Sequence, residues 1–383
     1  MSELPHIVLI SNYRPDGQYS MLRFAEMLEV HLRKAGASVT RLEPLRVFGG
    51  KGPLAKWRGY LDKYLLFPGR LKRELKRLSQ THGEMIVHIT DHSNAPYHKA
   101  AKGHTCLITC HDLMAIKSAL GLVPQNRTRL SGRILQRWIL KHLKNATHVC
   151  CLSEKTRSDL ITLTKVTEAD VEVIPAGLPY PFEPTPSQEA KGLINPLTAP
   201  YVLHVGSDAW YKNRLGVLEI FLKLRKQRPE LKLAFVGPES TDLKQVITEQ
   251  ILGASVVFVS DITDEKLQAL YSLADCLIFP SHDEGFGWPI AEAQACGTPA
   301  MITDRPPMTE VGGEAAVRLP TTPSMQDKRE SWAERCAVII VESLKNRDSL
   351  SAAGIKNVMQ FEPAQMAERY LKMYQKILTE QST

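Results

Sequence analysis

Acidic residues are scarce in the first half of this chain. Residues 1–200 carry 17 Asp and Glu against 28 Lys and Arg, a net +11, whereas residues 201–383 carry 24 acids against 20 bases, a net −4. Nucleic acid is nevertheless not the expected partner, because no helix-turn-helix, zinc-finger or aromatic RNA-binding motif accompanies the charge. Long apolar runs are also missing. The longest, such as CAVIIV and the run ending CLIFP, fall far short of the ~20 residues a membrane-crossing helix needs. The start, MSELPHIVLIS, has an acid where a secretory leader carries basic charge, so a cytoplasmic protein is expected. An even set of cysteines is missing as well: Cys106, Cys110, Cys150, Cys151, Cys276, Cys296 and Cys336 are seven, mostly inside apolar runs. That pattern reads as reduced core thiols rather than disulfides or a metal site.

What is present is ordinary globular material, 43% hydrophobic and 23% charged, in a chain long enough for two domains. Its basic residues concentrate in two stretches. Lys51 to Arg77 holds nine bases and two acids, and Arg127 to Lys144 holds six Lys and Arg and no acid. Both interleave Trp, Tyr, Phe or Leu with the charge. Two readings stand open: solvated helix faces, or a surface for anionic lipid headgroups at the inner face of a membrane.

Short apolar runs alternate with helical patterns, which predicts an α/β protein of parallel sheets with crossover helices. Strands are expected at 6–11, 38–42, 85–89, 105–109, 147–152 and 171–174, and a helix carries Met21, Ala25, Leu28 and Leu32 on one face. The stretch from Pro175 to Pro200 holds seven prolines and no periodicity, and reads as a linker. The pattern then restarts, with strands expected at 201–206, 231–237, 256–260 and 276–280 and a helix over Asn213–Gln227. The predicted organisation is a domain over 1–180, a linker over 181–200, a second Rossmann-like domain over 201–360 and a final helix over 361–383. That helix shows Met366, Tyr370 and Tyr374 at helical spacing and can pack on either domain.

The most informative stretch runs from Pro280 to Pro299, PSHDEGFGWPIAEAQACGTP. A strand ends at Phe279, a glycine loop follows, and a helix begins near Pro289, a residue suited to a first helical turn. Gly285 and Gly287 let main-chain N–H groups approach a polar ligand, and the helix start favours a diphosphate. Glu284 and Glu292, with seven residues between them, can reach different parts of one elongated ligand. A second stretch, HVGSDAWYKNR from His204 to Arg214, is again strand, loop and helix start.

The Glu-x7-Glu spacing, with Glu-Gly-Phe-Gly-Trp-Pro and a following Gly-x-Pro, resembles the signature of the large retaining glycosyltransferase group called family four. That resemblance implies the GT-B fold, two Rossmann-like domains facing each other, and transfer of a hexose from a UDP-, GDP-, ADP- or dTDP-sugar to a saccharide or lipid-linked acceptor. It implies that Glu284 and the amides of Gly285, Phe286 and Gly287 surround the donor sugar and that Glu292 binds the ribose. Gly206 and Lys212 match the family's phosphate-binding glycine and lysine. Ser207 and Tyr211 stand where an arginine is often found, and Arg214 is the candidate replacement. Gly17 resembles the family's first glycine loop, reduced here to a single Gly, and His111 resembles its sugar-pocket histidine. Asp261 and Ile262 fall in the loop near the base. No Asp-x-Asp occurs anywhere, so neutralisation of the leaving diphosphate is expected of Lys212 and helix N-termini rather than of a metal. A two-carboxylate glycoside hydrolase and a catalytically silent nucleotide-sugar sensor remain as rival readings.

Overall fold

The computed structural model describes residues 4–50, 52, 54–194, 197, 200–250 and 252–381. They form two compact units, Met1–Pro179 with Phe361–Thr383, and Tyr180–Gln360.

The first unit is a parallel sheet of His6–Ile10 (β1), Val39–Leu42 (β2), Met85–Ile89 (β3), Thr105–Cys110 (β4), His148–Cys151 (β5) and Val171–Val173 (β6), in the order β2-β1-β3-β4-β5-β6. The sequences HIVLI, MIVHI and TCLITC are buried at every position, as expected of strands covered by helices on both faces. One core layer joins Val8, Ile10, Val87 and Ile108 to Leu71, Leu75 and Leu143 from the crossover helices. The final helix, Pro363–Gln381, belongs to this unit. It buries Met366, Tyr370 and Tyr374, and the Tyr374 hydroxyl lies 2.7 Å from His88 Nδ1 while Tyr370 meets Thr109 at 3.1 Å. Buried aromatics with polar tips thus find partners on β3 and β4.

The second unit contains Tyr201–Val205 (β7), Lys232–Val236 (β8), Val256–Val259 (β9), Leu277–Phe279 (β10), Ala300–Thr303 (β11) and Val317–Leu319 (β12). These also pair in parallel, in the order β12-β11-β10-β7-β8-β9. Strands β11 and β12 are additions to the sequence reading. The stretch 181–200, expected as a linker, instead carries the helix Ser187–Ile194 inside this unit, with Ala190 and Ile194 buried. Pro184 and Pro186 precede that helix and Pro200 follows it, so the prolines bracket a short helix rather than forbid one. Residues 195, 196, 198 and 199 lie outside the described set. All seven cysteines are free and buried.

Candidate active site

Strand order in the second sheet reverses between β7 and β10, and α/β sheets bind ligands at the carboxyl ends of such a strand pair. The loops leaving these strands are laced together. His282 N donates to Tyr211 O at 2.7 Å, and Asn213 Nδ2 donates to Pro280 O at 2.9 Å and Thr322 Oγ1 at 2.8 Å. Asn213 takes the left-handed conformation, φ 49°, which Asn tolerates better than most residues, and from it starts the helix Arg214–Gln227. Lys212, one residue earlier, donates from Nζ to Glu284 Oε1 at 2.8 Å, with only 11% and 6% of the two side chains exposed. The ammonium also sits 4.9 Å from the centre of the Phe279 ring. A buried cation and a buried carboxylate from the two loops therefore meet at the crevice.

The glycines beneath them have steric causes. A Cβ on Gly206 would stand 3.2 Å from both His204 Nε2 and Lys212 Cδ. Gly237, just after β8, has φ +137° and a Cβ there would overlap the Gly206 carbonyl oxygen. His204 lies fully buried under this turn, with Nδ1 donating to Ile278 O at 2.9 Å, and burial drives its pKa down to about 3. It is a neutral imidazole beside two cations.

After β10, Phe286 is buried and Gly287 (φ 106°) caps the helix Trp288–Ala295, with Pro289 in its first turn. The N-terminus of a helix and a glycine loop of this kind favour a polar or anionic group nearby. Glu292, buried on this helix, accepts from the Tyr271 hydroxyl at 2.8 Å. Burial, then the Glu292 charge, push the Tyr271 phenol well above its ordinary range, so it remains a donor.

Other candidates lie elsewhere. Arg214 is buried against the rings of Phe235 and Phe258, its Nη1 donating to Pro238 O at 2.6 Å. Asp261 (φ 51°) and Ile262 follow the edge strand β9. They line a cavity of about 380 Å³ with Leu193, Phe258, Lys266 and Leu270, and no other candidate residue borders it. In the first unit, Gly17 (φ 68°) closes the exposed turn Arg14–Asp16. His111 is buried after β4, Nε2 donating to Thr90 O at 2.7 Å, edge-on to Phe24. Burial lowers its pKa against the opposing pull of Asp91.

One feature escapes the sequence reading, the tie that Asn213 makes between the two loops. A polar cluster stands where the first sheet reverses, between β1 and β3, on the loops that follow those strands. There Asp91 accepts from Asn12 Nδ2, Ser93 N and Ser93 Oγ, and Asn94 donates to Asn12. Burial alone would raise the Asp91 pKa, but His92, His111 and these hydrogen bonds hold it below the ordinary value. Among the described residues no group of three or more His, Cys, Asp or Glu is arranged to hold a metal ion.

The chain is similar to known proteins in sequence and in fold. Residues 185–356 match the family model of glycosyl transferases group 1, and residues 23–179 match that of glycosyltransferase family 4. O-antigen chain mannosyltransferase B of Escherichia coli is 24% identical over 243 residues, 59% of this chain and 62% of that protein. O-antigen chain mannosyltransferase RfbU of Salmonella typhimurium is 34% identical over 136 residues, 34% of this chain and 36% of that protein. The chain thus spans under two thirds of the length of these curated relatives. In fold it is similar to a sucrose-phosphate synthase from Thermosynechococcus elongatus, with a TM-score of 0.72, 22% identity and coverage of 98% and 100% of the two chains. With its two parallel six-stranded sheets of GT-B type and adjoining matches that span most of its length, the chain belongs to the group 1, family 4 glycosyltransferases.

Proposed function

We propose that the protein is a retaining glycosyltransferase that moves a hexose from a nucleotide-sugar donor to a saccharide or lipid-linked acceptor without a bound metal. The observation that carries this reading is the buried Lys212–Glu284 pair, 2.8 Å apart, beside the Gly206 turn and the N-terminus of Trp288–Ala295. Breaking the glycosyl–phosphate bond develops negative charge on the diphosphate. A preorganised ammonium stabilises that charge more in the transition state than in the ground state. In this reading Lys212 meets the leaving group, and Arg214 and the Gly285, Phe286 and Gly287 amides add positive potential. Glu284 accepts from the sugar hydroxyls and Glu292 from the ribose, while Asp261 and Ile262 border the base. The second unit is then the donor-binding half, and Gly17 and His111 take the roles the resemblance gives them on the acceptor-binding half. The names of the two mannosyltransferase relatives favour mannose as the sugar and a growing saccharide as the acceptor.

The test is release of nucleoside diphosphate from a panel of UDP-, GDP-, ADP- and dTDP-hexoses, with and without EDTA, and the anomeric configuration of the product. The expected outcome is turnover of one donor family, unchanged by EDTA, with configuration retained. Loss of turnover in EDTA and its return with magnesium would refute the metal-free step. Binding of a nucleotide sugar with no turnover on any acceptor would favour the sensor reading.

A further inference from the structure

The two basic, aromatic-bearing stretches of the first unit come together in space. Trp57 packs edge-on to Tyr60 at 5.7 Å, Tyr60 meets Tyr64 at 5.8 Å, and Tyr64 meets Trp138 at 5.0 Å. That aromatic chain joins the helix Ala55–Leu61 and the π-turn Asp62–Leu66 to the helix Leu130–Leu143. Around it the surface is unusually apolar. Leu54, Trp57, Leu61 and Leu65 follow one another at helical spacing and are 56%, 56%, 44% and 68% exposed; Leu130 and Ile134, a turn apart, are 73% and 62% exposed.

Neighbouring Val47 and Phe48 are exposed too, and they are held rather than loose. The buried Asp62 carboxylate accepts from the backbone N–H groups of Val47, Phe48 and Gly49 at 2.8–3.1 Å and from the Tyr13 hydroxyl at 2.7 Å. Those donors outweigh the effect of burial and hold its pKa below the ordinary value. A loop pinned by three hydrogen bonds to one buried carboxylate presents its apolar side chains in a fixed position, and an exposed apolar patch of this kind marks an interaction site. The charge around the patch has one sign. Lys56, Arg58, Arg127, Arg129, Arg133, Arg137 and Lys141 are exposed, and of the two acids between residues 51 and 77, Asp62 is buried and Glu74 is paired with Arg77.

We propose that this face docks onto an anionic phospholipid bilayer, with Val47, Phe48, Leu54, Trp57, Leu61 and Leu65 entering the headgroup boundary and the surrounding Lys and Arg side chains meeting lipid phosphates. Exposed apolar groups, interfacial Trp and Tyr, and a ring of basic residues without free acids fit a bilayer surface and not a second copy of this chain, whose own basic ring would be repelled. Among the described residues no helix is long and apolar enough to cross a membrane, so the contact is peripheral. The same segment reaches the Gly17 turn, since Lys63 pairs with Asp16 at 2.5 Å and Tyr13 bonds Asp62. A docked face therefore holds that turn close to the lipid surface, where a lipid-linked acceptor presents itself.

Flotation of the full chain with vesicles of phosphatidylcholine, with and without phosphatidylglycerol, tests this. Binding is expected only with phosphatidylglycerol, and it should fall as the screening length shortens from about 10 Å at 0.1 M salt to about 3 Å at 1 M. Arg133→Gln with Arg137→Gln should weaken partitioning roughly 30-fold. Trp57→Ser with Leu65→Ser should weaken it roughly tenfold or more, and both pairs, being exposed, should melt as the wild type does. The proposal fails if anionic vesicles do not bind at low salt, if neutral vesicles bind equally well, or if neither pair changes binding. It fails also if light scattering finds a dimer that the Trp57, Leu65 variant loses, because the apolar face would then belong to a second copy. None of these measurements needs a donor, so their failure leaves the transferase reading untouched, and the converse holds.

Discussion

Replacing Lys212 by Ala perturbs stability and chemistry together, and the structure separates the two. The Lys212 ammonium and the Glu284 carboxylate are 2.8 Å apart and both side chains are about nine-tenths buried. Removing one partner of such a pair leaves the other charge in a low-dielectric setting and typically costs about 3–5 kcal/mol of stability. Removing both at once avoids most of that cost, so Lys212→Ala with Glu284→Ala should recover about 2 kcal/mol or more relative to Lys212→Ala alone. Activity should behave differently. If Lys212 meets charge that grows on the leaving diphosphate, its loss should lower kcat on the order of 100-fold to 1,000-fold while donor affinity falls less, and the second substitution should restore none of it. Urea melts of the four proteins give the stability cycle, and donor turnover below the melting range gives the kinetic one. A double variant no more stable than the Lys212→Ala single would refute the buried-pair argument. Near-wild-type turnover in Lys212→Ala would refute the leaving-group argument even if the stability cycle closed as expected.

Four further outcomes test other parts of the structure. Glu292→Ala removes the acceptor that the Tyr271 hydroxyl reaches at 2.8 Å and, in the proposed role, a ribose contact. Calorimetry should show free nucleotide and intact donor weakened alike, by about 1–3 kcal/mol, and an unchanged nucleotide affinity would remove the assignment. Gly237→Ala should cost about 2–5 kcal/mol, because its Cβ combines φ +137° with overlap of the Gly206 carbonyl. Gly192→Ala, in open space inside the helix Ser187–Ile194, should instead stabilise by about 0.5–1 kcal/mol in the same urea melts. His204 and His88 are buried neutral, with pKa values lowered by burial to about 3 from 6.5. The unfolded chain therefore binds more protons between those values, and stability should be full above pH 6.5 and fall as pH drops, by about 2 kcal/mol per histidine at pH 5. A flat stability profile between pH 7 and pH 5 would contradict their burial as neutral imidazoles.

How much of this was legible in the amino-acid order depends on the range of the forces involved. Strands such as HIVLI and MIVHI could be read because burial on both faces demands unbroken apolar runs, and the glycine loops could be read because close backbone approach leaves few residue choices. The short strand Ala300–Thr303 and the edge strand Val317–Leu319 could not, since their place is set by pairing with β10 and with each other rather than by any pattern within them. The helix Ser187–Ile194 was hidden by the prolines that bracket it. At the crevice, Lys212 and Glu284 each stood out in its own motif, but their pairing spans 72 positions and arises only because strand order reverses between β7 and β10. The lacing by Asn213, which bonds Pro280 and Thr322 across 67 and 109 positions, has the same origin. The apolar face of the first unit is long-range too: the residues near Trp57 and those near Trp138 look like two separate basic helices until the Tyr64–Trp138 contact makes them one surface. Local chemistry is written in the sequence, while the juxtaposition that turns it into a site comes from the topology of the sheet, in which the two loops of a reversal point emerge side by side however far apart their residues lie in the chain.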